Sequence, residues 1–204
     1  MHARSPELYK RMTTFRTVAQ PLLVAIALAL GVRSAIRIYS IPTASMTPTL
    51  LVGDHIVVTP YHGATPGRGD VVVFRSPASR SNDLLVKRSV AVPGDLVETH
   101  SGRLFVGGHA VAEPYVLAPM TTGSVPSQVV PAECFFVLGD NRANSFDSRQ
   151  WGVLPTGLLI GRARLVLWSS GTGTLPPQAN AEVVTRPDVR SRSLHLDRLF
   201  KPIQ

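Results

Sequence analysis

Leu84-Leu-Val-Lys-Arg-Ser-Val-Ala-Val-Pro-Gly-Asp95 decides how this chain is read. It is an apolar, β-branched run that ends in a Pro-Gly turn, the pattern of a buried strand. Two cations lie in its middle. Side chains alternate across a strand, so Leu85, Lys87 and Ser89 share one face and Val86, Arg88 and Val90 the other. A lysine among apolar neighbours drifts toward the neutral amine, because desolvation penalises its charged form. To act as a base near neutral pH it must lose about 4 kcal/mol of its preference for the proton. Lys and Arg also discourage aggregation of an edge strand, so the strand alone leaves both readings open.

Upstream lies Ile41-Pro-Thr-Ala-Ser-Met-Thr-Pro-Thr-Leu50. Pro42 and Pro48 fix φ and bias their preceding residues away from helix. Ser45 therefore sits on a stiff, non-helical segment, the support a serine needs to attack a carbonyl. A Ser/Thr/Pro-rich linker has the same composition. Downstream, Leu138-Gly-Asp-Asn-Arg-Ala-Asn-Ser-Phe-Asp-Ser-Arg-Gln-Trp-Gly152 is a polar loop dense in groups able to pair with one another.

Taken together, these stretches resemble bacterial type I signal peptidases, the membrane-bound Ser-Lys endopeptidases that remove secretory signal peptides. The family's serine box corresponds to Pro42–Leu50 and the next box to Arg68-Gly-Asp-Val-Val-Val-Phe-Arg75. The lysine box corresponds to Val86–Asp95, and the last box to Gly139–Arg149, followed by Trp151-Gly152. The order is the family's, and the resemblance covers roughly residues 15 to 168.

The 204 residues suit one domain plus an anchor. A hydrophobic content of 44% argues against disorder. Sixteen glycines, seventeen prolines and only 6% aromatics point to many turns and short strands. The net charge of +8 suits nucleic acid or an anionic membrane surface. No nucleic-acid-binding motif accompanies it, so nucleic acid is not expected as a partner. Cys134 is the single cysteine, so no intrachain disulfide forms. The six histidines are scattered without metal-ligand spacing, and none is singled out for a Ser-His-Asp triad. No metal or cofactor is expected.

Residues 1 to 16 carry Arg4, Lys10, Arg11 and Arg16 against one acid, Glu7. Thr17 to Val32 is uncharged and largely apolar. As a helix these sixteen residues rise about 24 Å, short of the ~30 Å hydrocarbon core. Ala35, Ile36, Ile38 and Tyr39 extend the span if Arg33 and Arg37 snorkel. The expected organisation is a cytoplasmic N-terminus over 1–16, a transmembrane anchor over 17–40, an extracytoplasmic catalytic domain over 41–168 and a flexible segment with a basic tail over 169–204. A cleavable signal peptide competes with the anchor, but Ala27-Leu-Ala29 lies inside the apolar run rather than after it. The short stretch from Val32 to Ser45 reaches at most about 43–47 Å when extended, which keeps the serine near the outer membrane surface.

The expected fold is mostly β, an antiparallel sheet behind one N-terminal transmembrane helix. Strands are expected over Leu51–Thr59, Val71–Phe74, Leu84–Val92, Leu96–Thr99, Arg103–Val106, His109–Val111 and Cys134–Leu138. Glu113 to Pro131 reads as irregular. Leu158 to Trp168 reads as a strand broken by Arg162 and Arg164. The resemblance implies a second lobe, here a small set of β-hairpins, because only 44 residues separate Asp95 from Asp140. The tail after Ala181 gathers Arg186, Arg190, Arg192, Arg198 and Lys201. It reads as a basic tail with no task, as a membrane-surface contact or as a segment that closes the sheet.

The resemblance also implies roles. Ser45 attacks the scissile carbonyl and neutral Lys87 takes its proton. The Ser45 N–H and the Thr43 hydroxyl hold the oxyanion; Thr43 stands where the family often has serine. Ser145 orients Lys87, Asp140 pairs with Arg88, and Asp147 pairs with Arg149. Ala143 stands where the last box usually has aspartate, which removes one support of that loop. Pro42, Met46, Leu50, Leu85 and Val86 are expected to line pockets for small side chains of secretory preproteins cut at Ala-x-Ala-like sites. They also read as plain core residues. Two other functions compete: a Ser-Lys autoprotease of the repressor-cleavage type, against which the apolar run argues, and a catalytically silent, membrane-anchored binding module.

Overall fold

The structure, a computed structural model, describes residues 15–79, 83–120, 124–170 and 198–203. It forms two units that divide after Arg37. In the first, a π-helical turn at Phe15–Ala19 runs into helix α1, Gln20–Ala35. The switch in spacing falls beside Pro21, which has no N–H to give a regular ladder. Val18, Leu22, Leu23, Val24, Ile26 and Leu28 are exposed on this unit. Among the described residues no helix is long and apolar enough to cross a membrane. The stretch expected as the outer end of the anchor is not helical: Arg37–Ser40 is strand β1. Most of the expected cytoplasmic segment, and the tail from 171 to 197, lie outside the described residues.

The second unit is a β body. β2 (Asp54–Thr59), β3 (Val71–Arg75) and β4 (Leu84–Ala91) follow the serine segment. β5 (Leu96–His100), β6 (Arg103–Val106), β7 (His109–Ala110) and β8 (Val125–Val129) come next. After them run β9 (Cys134–Leu138), the one-turn helix α2 (Ser148–Trp151), β10 (Leu154–Pro155), β11 (Leu159–Ser169) and β12 (Lys201–Pro202). The large sheet has the order β1-β2-β11-β3-β4-β9-β10, with β12 on β11. The smaller sheet, β7-β6-β5-β8, is the second lobe expected between the lysine strand and the last box. Its β6–β7 turn places Gly107 and Gly108 both at positive φ, which a β-carbon would oppose.

Three apolar clusters fill the body. Val71 and Val73 join Ile41, Met46, Leu50, Ile56, Val58, Ala163, Val166 and Ile203 in one of them. Val72 and Phe74, one step out of phase on the same strand, join Phe135, Val137 and Leu154 in another. Phe136 and Leu138 turn away from their neighbours to meet Val97, Leu104 and Val125 of the small sheet. β3 and β9 are thus buried on both faces, which is why they read as unbroken apolar runs rather than as alternation. Each fully buried side chain of this size contributes about 1.5–3 kcal/mol.

Three expectations change here. β8, Val-Pro-Ser-Gln-Val, lies in the stretch that reads as irregular; it is an outer strand of the small sheet with mostly exposed residues, so it carries no apolar run. β11 is continuous through Arg162 and Arg164. The first pairs with Asp70 at 2.8 Å, and the second donates to Thr59 Oγ1 at 3.0 Å. The end of the chain also returns to the body: β12 pairs with Leu165 and Val166 of β11, and Ile203 is buried in the first cluster.

Candidate active site

The serine segment is held at both ends. The Ile41 N–H donates to the Asp54 carbonyl at 2.8 Å, and the Gly53 N–H donates to the Ile41 carbonyl at 2.9 Å. Met46 and Leu50 are sunk in the core, 1% and 0% exposed, and the Leu50 N–H closes a turn on the Met46 carbonyl. From the other side, Asn141 grips the segment: its backbone N–H donates to the Ser45 carbonyl and its side-chain amide to the Ala44 carbonyl, each at 3.1 Å. Backbone this well held leaves the Ser45 side chain a fixed origin.

Lys87 comes from the middle of β4 and is 3% exposed. Its Nζ donates to Ser45 Oγ at 2.7 Å. Its pKa is lowered to about 8, chiefly because burial strips water from the ammonium; Arg149 pushes the same way, while Asp147 and Asp140 oppose. Thr43 Oγ1 stands 3.4 Å from Ser45 Oγ, and no described group bonds the Ser45 N–H. Among the described residues no histidine bonds Ser45; His55 stacks on Trp168 and His100 on Phe105. No described cluster of His, Cys, Asp or Glu has the makings of a metal site.

The supports lie behind this pair. Arg88 Nε and Nη2 donate to the two oxygens of Asp140 at 2.9 and 2.7 Å, with both side chains essentially out of solvent. Arg88 also donates to the Gly69 carbonyl at 2.8 Å and to Thr49 Oγ1 at 3.2 Å. Thr49 in turn donates to Asp140 at 2.5 Å, which ties the serine segment to the last box. The guanidinium lies 3.9 Å over the Tyr115 ring. Asp147 receives Arg149 Nε at 2.8 Å and the Gly139 N–H at 3.0 Å, and it caps α2 in a capping box with Gln150. Arg142, beside Ala143, donates its Nη1 at 2.8 Å to Glu113, in the connection between β7 and β8.

Gly139 is where the last box meets the serine. A β-carbon there would lie 2.2 Å from Ser145 Oγ and 2.6 Å from the Ser45 carbonyl oxygen. Ser145, expected to orient Lys87, makes no such bond; its hydroxyl is buried without a described hydrogen-bond partner.

A cleft of about 280 Å³ opens beside the pair, lined in part by Pro42, Thr43, Ser45, Met46, Leu85, Val86 and Lys87. Leu50 is the exception among the expected pocket residues: it belongs to the core and does not line the cleft. Tyr39, Ser40, Ile41, Val73 and Leu84, none of them among the expected site residues, complete its lining. Glu113, Tyr115, Asp54 and Arg198 stand in no motif, and the contacts by which they support the site reach residues tens of positions away; Thr49 lies within the serine box, but its role shows only through Asp140 and Arg88.

A family model described as "Signal peptidase, peptidase S26" matches residues 15–168. Signal peptidase I of Leptolyngbya laminosa is 38% identical over 71% of this chain and 75% of that protein. The probable signal peptidase I-2 of Synechocystis is 35% identical over 84% of this chain and 82% of its own length. Thylakoidal processing peptidase 1 of Arabidopsis thaliana is 38% identical over 74% of this chain, which spans about half of that longer protein. All four boxes lie within that one continuous match, and the chain belongs to the signal peptidase family, peptidase S26.

Proposed function

We propose that this chain is a membrane-bound serine endopeptidase that removes N-terminal signal peptides from secreted preproteins, with Ser45 as nucleophile and Lys87 as general base. Its family membership makes it a hydrolase of the signal peptidase I class. The observation that supports the dyad is the 2.7 Å approach of a buried lysine amine to the serine hydroxyl. When Lys87 is neutral its lone pair accepts the Ser45 proton as Oγ bonds to the scissile carbonyl carbon. The ammonium so formed returns that proton to the leaving amine. Water then attacks the acyl carbon as Lys87 takes one of its protons, and the ammonium returns that proton to Ser45 Oγ as the ester bond breaks, which restores the hydroxyl and the neutral amine. The Ser45 N–H and the Thr43 hydroxyl face the developing oxyanion. Asp140 with Arg88, and Asp147 with Arg149, hold the two walls of the site and take no proton. The resemblance also assigns Ser145 to the orientation of Lys87.

The substrate enters extended along the cleft, where Pro42, Met46, Leu85 and Val86 favour small apolar side chains and an Ala-x-Ala-like site. The apolar surface of α1, behind the cations of residues 1–16, supports an anchor in the cell membrane, with the N-terminus cytoplasmic and the catalytic unit outside. The short tether then presents Ser45 at the bilayer surface, where a signal peptide's cleavage site emerges.

The test is cleavage of a preprotein in detergent by wild type, Ser45→Ala and Lys87→Ala. Both variants should stay folded and lose at least about a thousandfold in rate. Lys87→His should not recover activity, because the imidazole is too short to reach. Equal product from all of them sinks the mechanism, and no product from any of them, wild type included, favours a binding module.

A further inference from the structure

Arg198 lies beyond residue 168, where the family match ends, yet it reaches the serine segment. Its Nε donates to Asp54 Oδ1 at 3.0 Å, and its Nη2 lies against Asp54 Oδ2. The same Nη2 donates to the Thr49 carbonyl at 3.1 Å. Arg198 is 7% exposed and Asp54 0%, so the pair is buried. Asp54 Oδ2 also receives the Leu51 N–H at 2.9 Å. Thr49 is therefore held twice: its carbonyl by the tail, and its hydroxyl by Asp140 and Arg88, next to Lys87.

We infer that Arg198 is a positioning residue for the nucleophile: the C-terminal segment clasps the Thr49–Asp54 end of the serine loop and so sets the distance from Ser45 to Lys87. The inference rests on the Ser45–Lys87 reading. An exposed arginine pair would decide nothing here, because surface ion pairs are weak. This one is desolvated, forked over a carboxylate and shared with a loop carbonyl, a geometry that fixes direction as well as charge. The segment that delivers it is secured independently, by β12 on β11 and by Ile203 in the core. Arg198 touches neither substrate nor the reacting atoms. Its effect is on geometry, and small misplacements of a nucleophile are costly.

The experiment uses the full chain in detergent with a preprotein substrate and compares Arg198→Lys, Arg198→Ala and Lys201→Ala. Arg198→Lys keeps a cation for Asp54 but not the fork that also reaches Thr49. It should remain folded by near-ultraviolet circular dichroism and lose about tenfold in kcat with KM little changed. The pH at which activity rises should stay where it is in wild type, since Lys87 remains buried and keeps the charged neighbours that act on it, Asp147, Asp140 and Arg149. Arg198→Ala should lose more, and Lys201→Ala, an exposed neighbour, should match wild type to within about twofold. An Arg198→Lys protein with full kcat, or one that has lost its fold, overturns the inference. Ser45→Ala run alongside separates the two readings: if it still cleaves, the dyad falls; if it is dead while Arg198→Lys is fully active, only the clasp falls.

Discussion

Burial of Lys87 sets the pH dependence of the reaction and of the fold together. With the pKa lowered to about 8, about a tenth of the molecules carry the neutral amine at pH 7. An ordinary lysine, near 10.4, would offer roughly one in 2,500. The site thus gains roughly 200-fold in competent base, equivalent to about 3 kcal/mol. Preprotein cleavage should rise about tenfold from pH 6 to 7, bend near 8 and level off above 9. The sign for stability follows from proton binding. Between about 8 and 10.4 the unfolded chain holds a proton on residue 87 that the folded chain has lost, so stability rises with pH across that window. Below it the folded state bears the full penalty of a buried ammonium. Lys87→Met should therefore raise the unfolding free energy at pH 6 by up to about 3 kcal/mol, and the gain should vanish as the pH approaches 10.4. Urea unfolding of the two proteins across that range measures it. A rate that first rises near pH 10, or a Lys87→Met protein less stable than wild type at pH 6, refutes the reasoning.

Other perturbations follow from the same contacts. Asp140→Ala leaves the Arg88 guanidinium buried and unmatched and should cost about 3–5 kcal/mol, read as a fall in the urea midpoint; Arg88→Met in the same background should recover part of it. Gly139→Ala drives a methyl into Ser145 Oγ and the Ser45 carbonyl, so kcat for preprotein cleavage should fall by about a hundredfold. Ser145→Ala removes a buried hydroxyl with no described partner and should leave the melting temperature unchanged or raised. A drop equivalent to about 1 kcal/mol or more would mean that the hydroxyl is bonded in solution.

How much of this was legible depends on where each residue's partner lies. Val71–Arg75 and Cys134–Leu138 announce themselves because burial on both faces demands a nearly unbroken apolar run, whereas Leu84–Ala91 shows through the apolar residues on either side of its two cations and the Pro-Gly turn that follows. Asp147 and Arg149 are two residues apart, and their pairing is a local matter. The polar strand Val125–Val129 hides because water, not a second layer, meets most of its side chains. Arg162 reads as a strand breaker until Asp70, far off in sequence, supplies its counter-charge. Leu50 stands in the serine motif yet serves the core, and the motif's spacing alone has no means of separating a wall from a floor. Arg198 and Glu113 are ordinary charged residues in the sequence; only the folded path puts one against Asp54 and the other against Arg142.

β2 and β3 follow one another along the chain, yet in the large sheet β11 is inserted between them. While the polypeptide is being made, the gap between those two strands has no filler until the ribosome has passed residue 169. Contacts of such long sequence separation form late and slowly. The serine is therefore among the first catalytic parts to emerge and among the last to gain its backing. A protease of this topology is born inert, and its site is complete only after Leu159–Ser169 has been made and has slotted between the two earlier strands.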